Sequence, residues 1–128
     1  MASINTVAIS GNLVADCTKG KAGDTPVINF VIAVDERRKT KGGEWESYPN
    51  YIECALFGAR AKALSDVLVK GVKVYVQGKL HQSRWEKDGQ NRSKVTISVD
   101  EIVIGYTKAQ DMQEQAQQEQ AQQVEIPW

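Results

Sequence analysis

The chain has 128 residues, a natural length for one domain of roughly 100 residues plus a tail, and long enough to bury a core without disulfide or metal staples. Its 16 basic and 16 acidic side chains cancel, but not locally: residues 1–106 carry 15 Lys/Arg against 12 Asp/Glu (+3), and residues 107–128 carry Lys108 against Asp111, Glu114, Glu119 and Glu125 (−3). A mildly basic body with an acidic tail admits a nucleic-acid partner, and no apolar run approaches the ~20 residues of a membrane helix.

Val7, Ile9 and, past Gly11, Leu13 alternate with small or polar residues, the pattern of a half-buried strand. Gly20–Pro26 is a turn cluster. Val27–Asp35 is a second β-rich run with Ile28, Phe30, Ile32 and Val34 on one face. Arg37–Asn50 reads as a long exposed hairpin loop around Gly42-Gly43. Tyr51–Phe57 is the third main strand. From Gly58 to Lys70 the period changes, with Ala61, Leu64, Val67 and Leu68 at helical spacing and Gly71 as a stop. Val72, Val74 and Val76 open a strand that passes a bend at Gly78 and reaches Trp85. Asp88-Gly89 is a hairpin turn, and the return strand carries Val95, Ile97, Val99, Ile102 and Ile104. The order is all-β: about five strands with one helix between the third and fourth, which suits the five-stranded oligonucleotide-binding (OB) barrel.

Gln110–Gln123 holds eight glutamines in fourteen residues and no aromatic or β-branched side chain, so a disordered, solvated linker is expected. Val124-Glu125-Ile126-Pro127-Trp128 then returns abruptly to apolar and aromatic chemistry. The predicted organisation is an OB domain over 1–106, a linker over 107–123 and an interaction tip over 124–128.

Strand alternation puts Ile52, Cys54 and Leu56 on one face and Tyr51, Glu53, Ala55 and Phe57 on the other. The first set makes a good core face, which leaves Tyr51 and Phe57 outward; the reverse register would bury Glu53. Trp85 stands in the polar run His81-Gln82-Ser83-Arg84, and Trp45 between Glu44 and Glu46. Cations surround them: Arg37, Arg38, Lys39 and Lys41 in the long loop, then Lys70, Lys73, Lys79, Arg84 and Lys87. Exposed aromatics interleaved with cations are what sequence-tolerant single-strand binding needs, because bases stack on the rings while the cations follow the phosphates. A solvated hairpin surface is the plainer account of any one charge.

Catalytic patterns are absent: there is one histidine, His81, and no Gly-rich phosphate loop, His-x-x-x-His or Gly-x-Ser-x-Gly. Cys17 and Cys54 stand 37 positions apart without metal-ligand spacing. No catalytic residue, metal or cofactor is therefore expected. With no export signal at the amino terminus, a reducing, cytoplasmic setting is expected.

The segments MASINTVAISGNL, INFVIAVDE, LFGARAKALSDVLVKGVKVYVQGKL, SRWEKDGQNR and EIPW, in this order, resemble the bacterial single-stranded DNA-binding proteins. The resemblance covers most of residues 1–106 and then the tip. It implies that Tyr51, Phe57 and Trp85 stack bases and that Lys70 and Lys73 fall at polar or basic positions. It also implies a homotetramer associated with the nucleoid, working in DNA replication, recombination and repair. Glu125, Ile126, Pro127 and Trp128 would then recruit partner enzymes of those processes. Two departures stand out. Arg38 occupies a position where many members carry tryptophan, with Trp45 further along, and Trp128 replaces a terminal phenylalanine in a tip less acidic than is usual. On the residues alone, an RNA-serving barrel, a primosome-type accessory protein and a protein-only assembly module remain rivals; the Glu-Ile-Pro-Trp ending suits neither of the first two.

Overall fold

The computed structural model describes residues 2–106. Within them lie β1 (Val7–Leu13), β2 (Thr18–Ala22), β3 (Thr25–Lys39), β4 (Trp45–Phe57), α1 (Ala59–Leu64), β5 (Lys73–Lys87) and β6 (Gln90–Tyr106). The expectations for the 107–123 linker and the Glu125–Trp128 tip lie outside the described residues.

The strands close on themselves. β1 runs antiparallel to β5 from Val7↔Gly78 to Asn12↔Lys73, then shifts to β3 at Asn12↔Ala33 and Leu13↔Ile32. β5 pairs β6, β3 pairs β4, and a short parallel pairing of Cys54↔Ile97 and Ala55↔Ser98 joins β4 to β6. The circuit β1–β5–β6–β4–β3–β1 is the expected five-stranded barrel, with α1 between its third and fourth strands. Inward alternation fills it: Leu13, Ile28, Phe30, Ile32, Cys54, Leu56, Val74, Val76, Ile97 and Ile102 are all buried.

The barrel needs two close backbone approaches, and glycine stands at both. A Cβ at Gly11 would lie 2.2 Å from the carbonyl oxygen of Ala33, and one at Gly78 would lie 2.1 Å from that of Ser98. Gly78 also marks the bend expected there, since the β5–β6 register shifts between Gln77 and Gly78. Arg60 of α1 braces the same stretch of β6, donating to the carbonyls of Asp100 (3.2 Å) and Ile102 (3.1 Å) and pairing with Glu101 (2.6 Å).

Three local expectations need correction. The Gly20–Pro26 turn cluster is mostly strand: β2 pairs β3 from Thr18↔Asn29 to Ala22↔Thr25, and Gly23 at φ 63° makes the tight turn. The Arg37–Asn50 loop is a ribbon, paired out to Lys39↔Trp45, with a real turn only over 40–44. Polar composition there reflects a ribbon with solvent on both faces rather than an unpaired backbone. The helix stops at Leu64 instead of running to Lys70. Beyond it the β-branched Val67, Val69 and Val72 disfavour helix, and successive turns drop Leu68 and Val72 into the core. At the far hairpin Asp88 (φ 53°) and Gly89 (φ 75°) adopt the two left-handed conformations of the tight turn that Asp-Gly favours.

Candidate nucleic-acid interface

β4 has the register that keeps Glu53 in water. Tyr51 is 65% exposed and Phe57 48%, while Cys54 and Leu56 are buried. Strand pairing extends this outward face on both sides. On β3 it takes in Asn29, Val31 and Ala33, opposite Ala55, Glu53 and Tyr51. On β6 it takes in Ser98, next to Ala55, and with it Thr96, Lys94 and Arg92 by alternation. Their β5 partners Lys79, His81, Ser83 and Trp85 share that side. Trp85, 43% exposed, sits directly across from Arg92.

Three depressions adjoin on this face. One runs between Tyr51, Glu53, Leu80, Lys94 and Thr96; the next between Asn29, Phe57, His81, Ser83, Lys94 and Ser98; the third reaches Thr18, Asp16, Glu53 and Lys94. They form an open track with an aromatic near either end, not an enclosed cleft. Among the described residues no charged or polar side chain is buried, and no three His, Cys, Asp or Glu side chains come together as a metal site would need. The one group far from its ordinary titration range is in the core: burial pushes the Cys54 thiol up to about 12.

The other candidates are distributed unevenly. Trp45, 61% exposed, is far out on the β3–β4 ribbon, across from Lys39, with the Arg37 guanidinium 5.8 Å from its ring centre. Arg38 alternates to the reverse side of that ribbon, where its guanidinium stacks 4.4 Å from the centre of Tyr48. Lys41 is in the turn, and Lys87 ends β5 beside the Asp88-Gly89 turn. Arg84 pairs with Ser93 on the face opposite Trp85. Lys70 and Lys73 do not join the track. They lie where β5 begins against β1, Lys73 resting 5.9 Å from the Tyr75 ring, and Asp16 accepts the Lys70 backbone N–H at 2.9 Å. Lys94, Arg92 and Tyr48, the ring under Arg38, are the members that residue-level reading left out. The polar alternation Arg92-Lys94-Thr96-Ser98 is visible in the sequence, but its adjacency to β4 is not.

The described residues thus form an OB barrel with one outward face carrying spaced aromatics, hydroxyls and cations. Residues 4–105 match the sequence model of the Single-strand binding protein family, and the chain belongs to that family. It is similar to the single-stranded DNA-binding protein of Treponema pallidum, at 37% identity over 105 residues that cover 81% of this chain and 59% of that protein. It is also similar to that of Borreliella burgdorferi, at 40% identity over 105 residues, covering 80% and 70%. This chain thus spans little more than half the length of the Treponema relative. Among solved structures, a deletion mutant of the single-stranded DNA binding protein from Thermus aquaticus superposes with a TM-score of 0.72 at 26% identity, covering 83% of this chain and 52% of that one. The Plasmodium falciparum SSB complex with ssDNA shares the fold with a TM-score of 0.72 at 22% identity, covering 81% and 96%.

Proposed function

We propose that this chain binds single-stranded DNA with little sequence preference, as a non-catalytic factor in replication, recombination and repair. The observation that carries the reading is the outward face on which Tyr51, Phe57 and Trp85 stay solvent-exposed amid Lys79, Lys87, Arg92 and Lys94. Base stacking on such rings contributes about 1–3 kcal/mol per base whatever the base, and lysines beside them neutralise the phosphates. Trp45, Arg37 and Lys39 prolong the track along the β3–β4 ribbon. Arg38, Lys41 and Arg84 border it, and Lys70 and Lys73 would serve only a strand that wraps onto the β1–β5 wall.

The reading includes a homotetramer. Tyr75 and Val103 are about half exposed or more and flank Ala8 and Ile9 in an apolar depression on the wall opposite the aromatic track. Val7–Gly11 is paired on its β5 side only. A second copy of the chain would cover both features. It also includes a division of the chain into a DNA-binding barrel over 1–106, a linker over 107–123 and a docking segment over 124–128. In the last, Trp128 offers an aromatic anchor, Glu125 a charge for a basic rim, and Pro127 a restricted backbone that lowers the cost of ordering. Cytoplasmic, nucleoid-associated location belongs to the same proposal.

The test is a tryptophan-fluorescence titration with oligo(dT) at two salt concentrations, with RNA of equal length as competitor. Quenching that weakens with salt by a slope of about −0.7 per phosphate contact is the expected result. A flat titration would leave the protein-only assembly module standing, and preference for RNA would favour the RNA-serving barrel. Removal of residues 124–128 should leave DNA affinity equal or slightly higher while abolishing capture of replication and repair enzymes.

A further inference from the structure

The middle of the aromatic track holds a charge arrangement that stacking and general basicity do not explain. Along the outward face of β4 the order is Tyr51, Glu53, Ala55, Phe57, so a carboxylate stands between the two rings. Its Oε2 lies 2.5 Å from Nζ of Lys94, and both side chains are about half exposed. Lys94 lines all three adjoining depressions, and among the residues lining them it is the only lysine or arginine. Besides this pair, the acidic, basic or imidazole side chains there are Asp16, in the depression beside β2, and His81 on β5. A phosphate lying in these depressions between Tyr51 and Phe57 therefore meets one lining cation, and that cation already has an anionic partner.

We propose that Glu53 is an internal competitor for Lys94, and that single-stranded DNA enters this part of the track by exchanging the carboxylate for a phosphate. The inference rests on the single-strand reading above and deepens it by naming the residue that limits affinity. A phosphate taken by a free lysine releases about 0.7 of a condensed cation. When Lys94 leaves Glu53 for a phosphate, the abandoned carboxylate attracts a cation in return, so the contact is nearly silent in the salt response. Glu53 also stays close to the phosphate it has yielded to and repels it. The pair thus holds a lysine in place without giving its full attraction to DNA.

The experiment uses the full chain in tryptophan-fluorescence titrations with oligo(dT) and oligo(dC) across a salt series, for the wild type, Glu53→Gln, Lys94→Gln and the double variant. Because the pair is solvent-exposed, all four are expected to melt alike. Glu53→Gln should bind both oligonucleotides about two- to fivefold more tightly at low salt, the worth of an exposed ion pair. Its salt slope should steepen by about 0.7. Lys94→Gln should weaken binding, and in that background Glu53→Gln should gain clearly less than it does with Lys94 present, the non-additivity expected of coupled groups; an equal gain in both backgrounds would mean that the two charges act independently and would overturn the exchange. Unchanged affinity and slope in Glu53→Gln would overturn the proposal. So would a loss confined to oligo(dC), which would make Glu53 an acceptor for the cytosine amino group instead. If the wild type binds neither oligonucleotide, the single-strand reading falls before any variant is compared, whereas a binding wild type with an indifferent Glu53→Gln sinks only the exchange.

Discussion

Trp85 carries the indole that residue-level chemistry can test most directly. It packs against no apolar neighbours in its own sequence and lies across from Arg92 on an exposed ribbon. Its replacement therefore removes an exposed ring and little core. Trp85→Ala should weaken oligo(dT) binding by about 1–3 kcal/mol with a nearly unchanged melting temperature. A large stability loss with intact affinity would assign the ring to packing. Cys54 is the opposite case, a thiol 1% exposed among apolar side chains. Burial raises its pKa from 9.0 to about 12. Below pH 9 the thiol is protonated in both states and contributes nothing to the pH dependence. Between pH 9 and about 12 the unfolded chain loses the proton that the folded chain keeps, so stability falls as pH rises through that window. Cys54→Ala should flatten this part of a pH–stability curve relative to wild type; identical curves would mean that the thiol ionises normally in the fold.

At the scale of elements, the two glycines at strand crossings decide whether the barrel closes. An added Cβ at Gly78 would sit 2.1 Å from a backbone oxygen, which no rotamer change relieves. Gly78→Ala should cost at least about 2–3 kcal/mol in urea denaturation, at or beyond the upper range for overpacking. Gly42→Ala, in the ribbon turn where the nearest atom would be Thr40 Oγ1 at 3.9 Å, should change little. Equal effects at the two positions would show that β5 and β6 can move apart without cost. The same elements explain why reading from sequence succeeded with strands and overran with the helix. Alternation in Ile28-x-Phe30-x-Ile32 and in Ile52-x-Cys54-x-Leu56 is local and matches the pleat. Ala61, Leu64 and Leu68 have helical spacing too, but Leu68 reaches the core through a turn rather than a helix.

For the whole molecule, the separation of walls is the important feature. Tyr51, Phe57 and Trp85 are on the side of β4 and outer β5–β6, while Tyr75, Val103 and Ile9 form an apolar patch on the side of β1 and inner β5–β6. A protein using one wall for DNA and the other for its own copies can do both at once. Light scattering at micromolar concentration should give four times the chain mass, and Tyr75→Glu, which puts a charge on the patch, should lower it while leaving the aromatic track in place. A wild-type monomer would refute the assembly.

The identity of the strands, the inward faces of β3 and β4, the Asp88-Gly89 turn and the exposure of Tyr51, Phe57 and Trp85 were legible in the sequence, because each depends on neighbours two to four residues away. The family resemblance, too, rested on local segments in order. What the sequence could not disclose was which cations meet which aromatics. The parallel contact of Cys54 with Ile97 brings together residues 43 positions apart, and it alone sets Lys94 against Glu53 in the middle of the track. The β1–β5 pairing likewise carries Lys70 and Lys73 to another wall, and ribbon alternation turns Arg38 away from Trp45. Charge acts through space rather than along the chain, so the composition of the site is local information, but its electrostatics exist only once the barrel has closed.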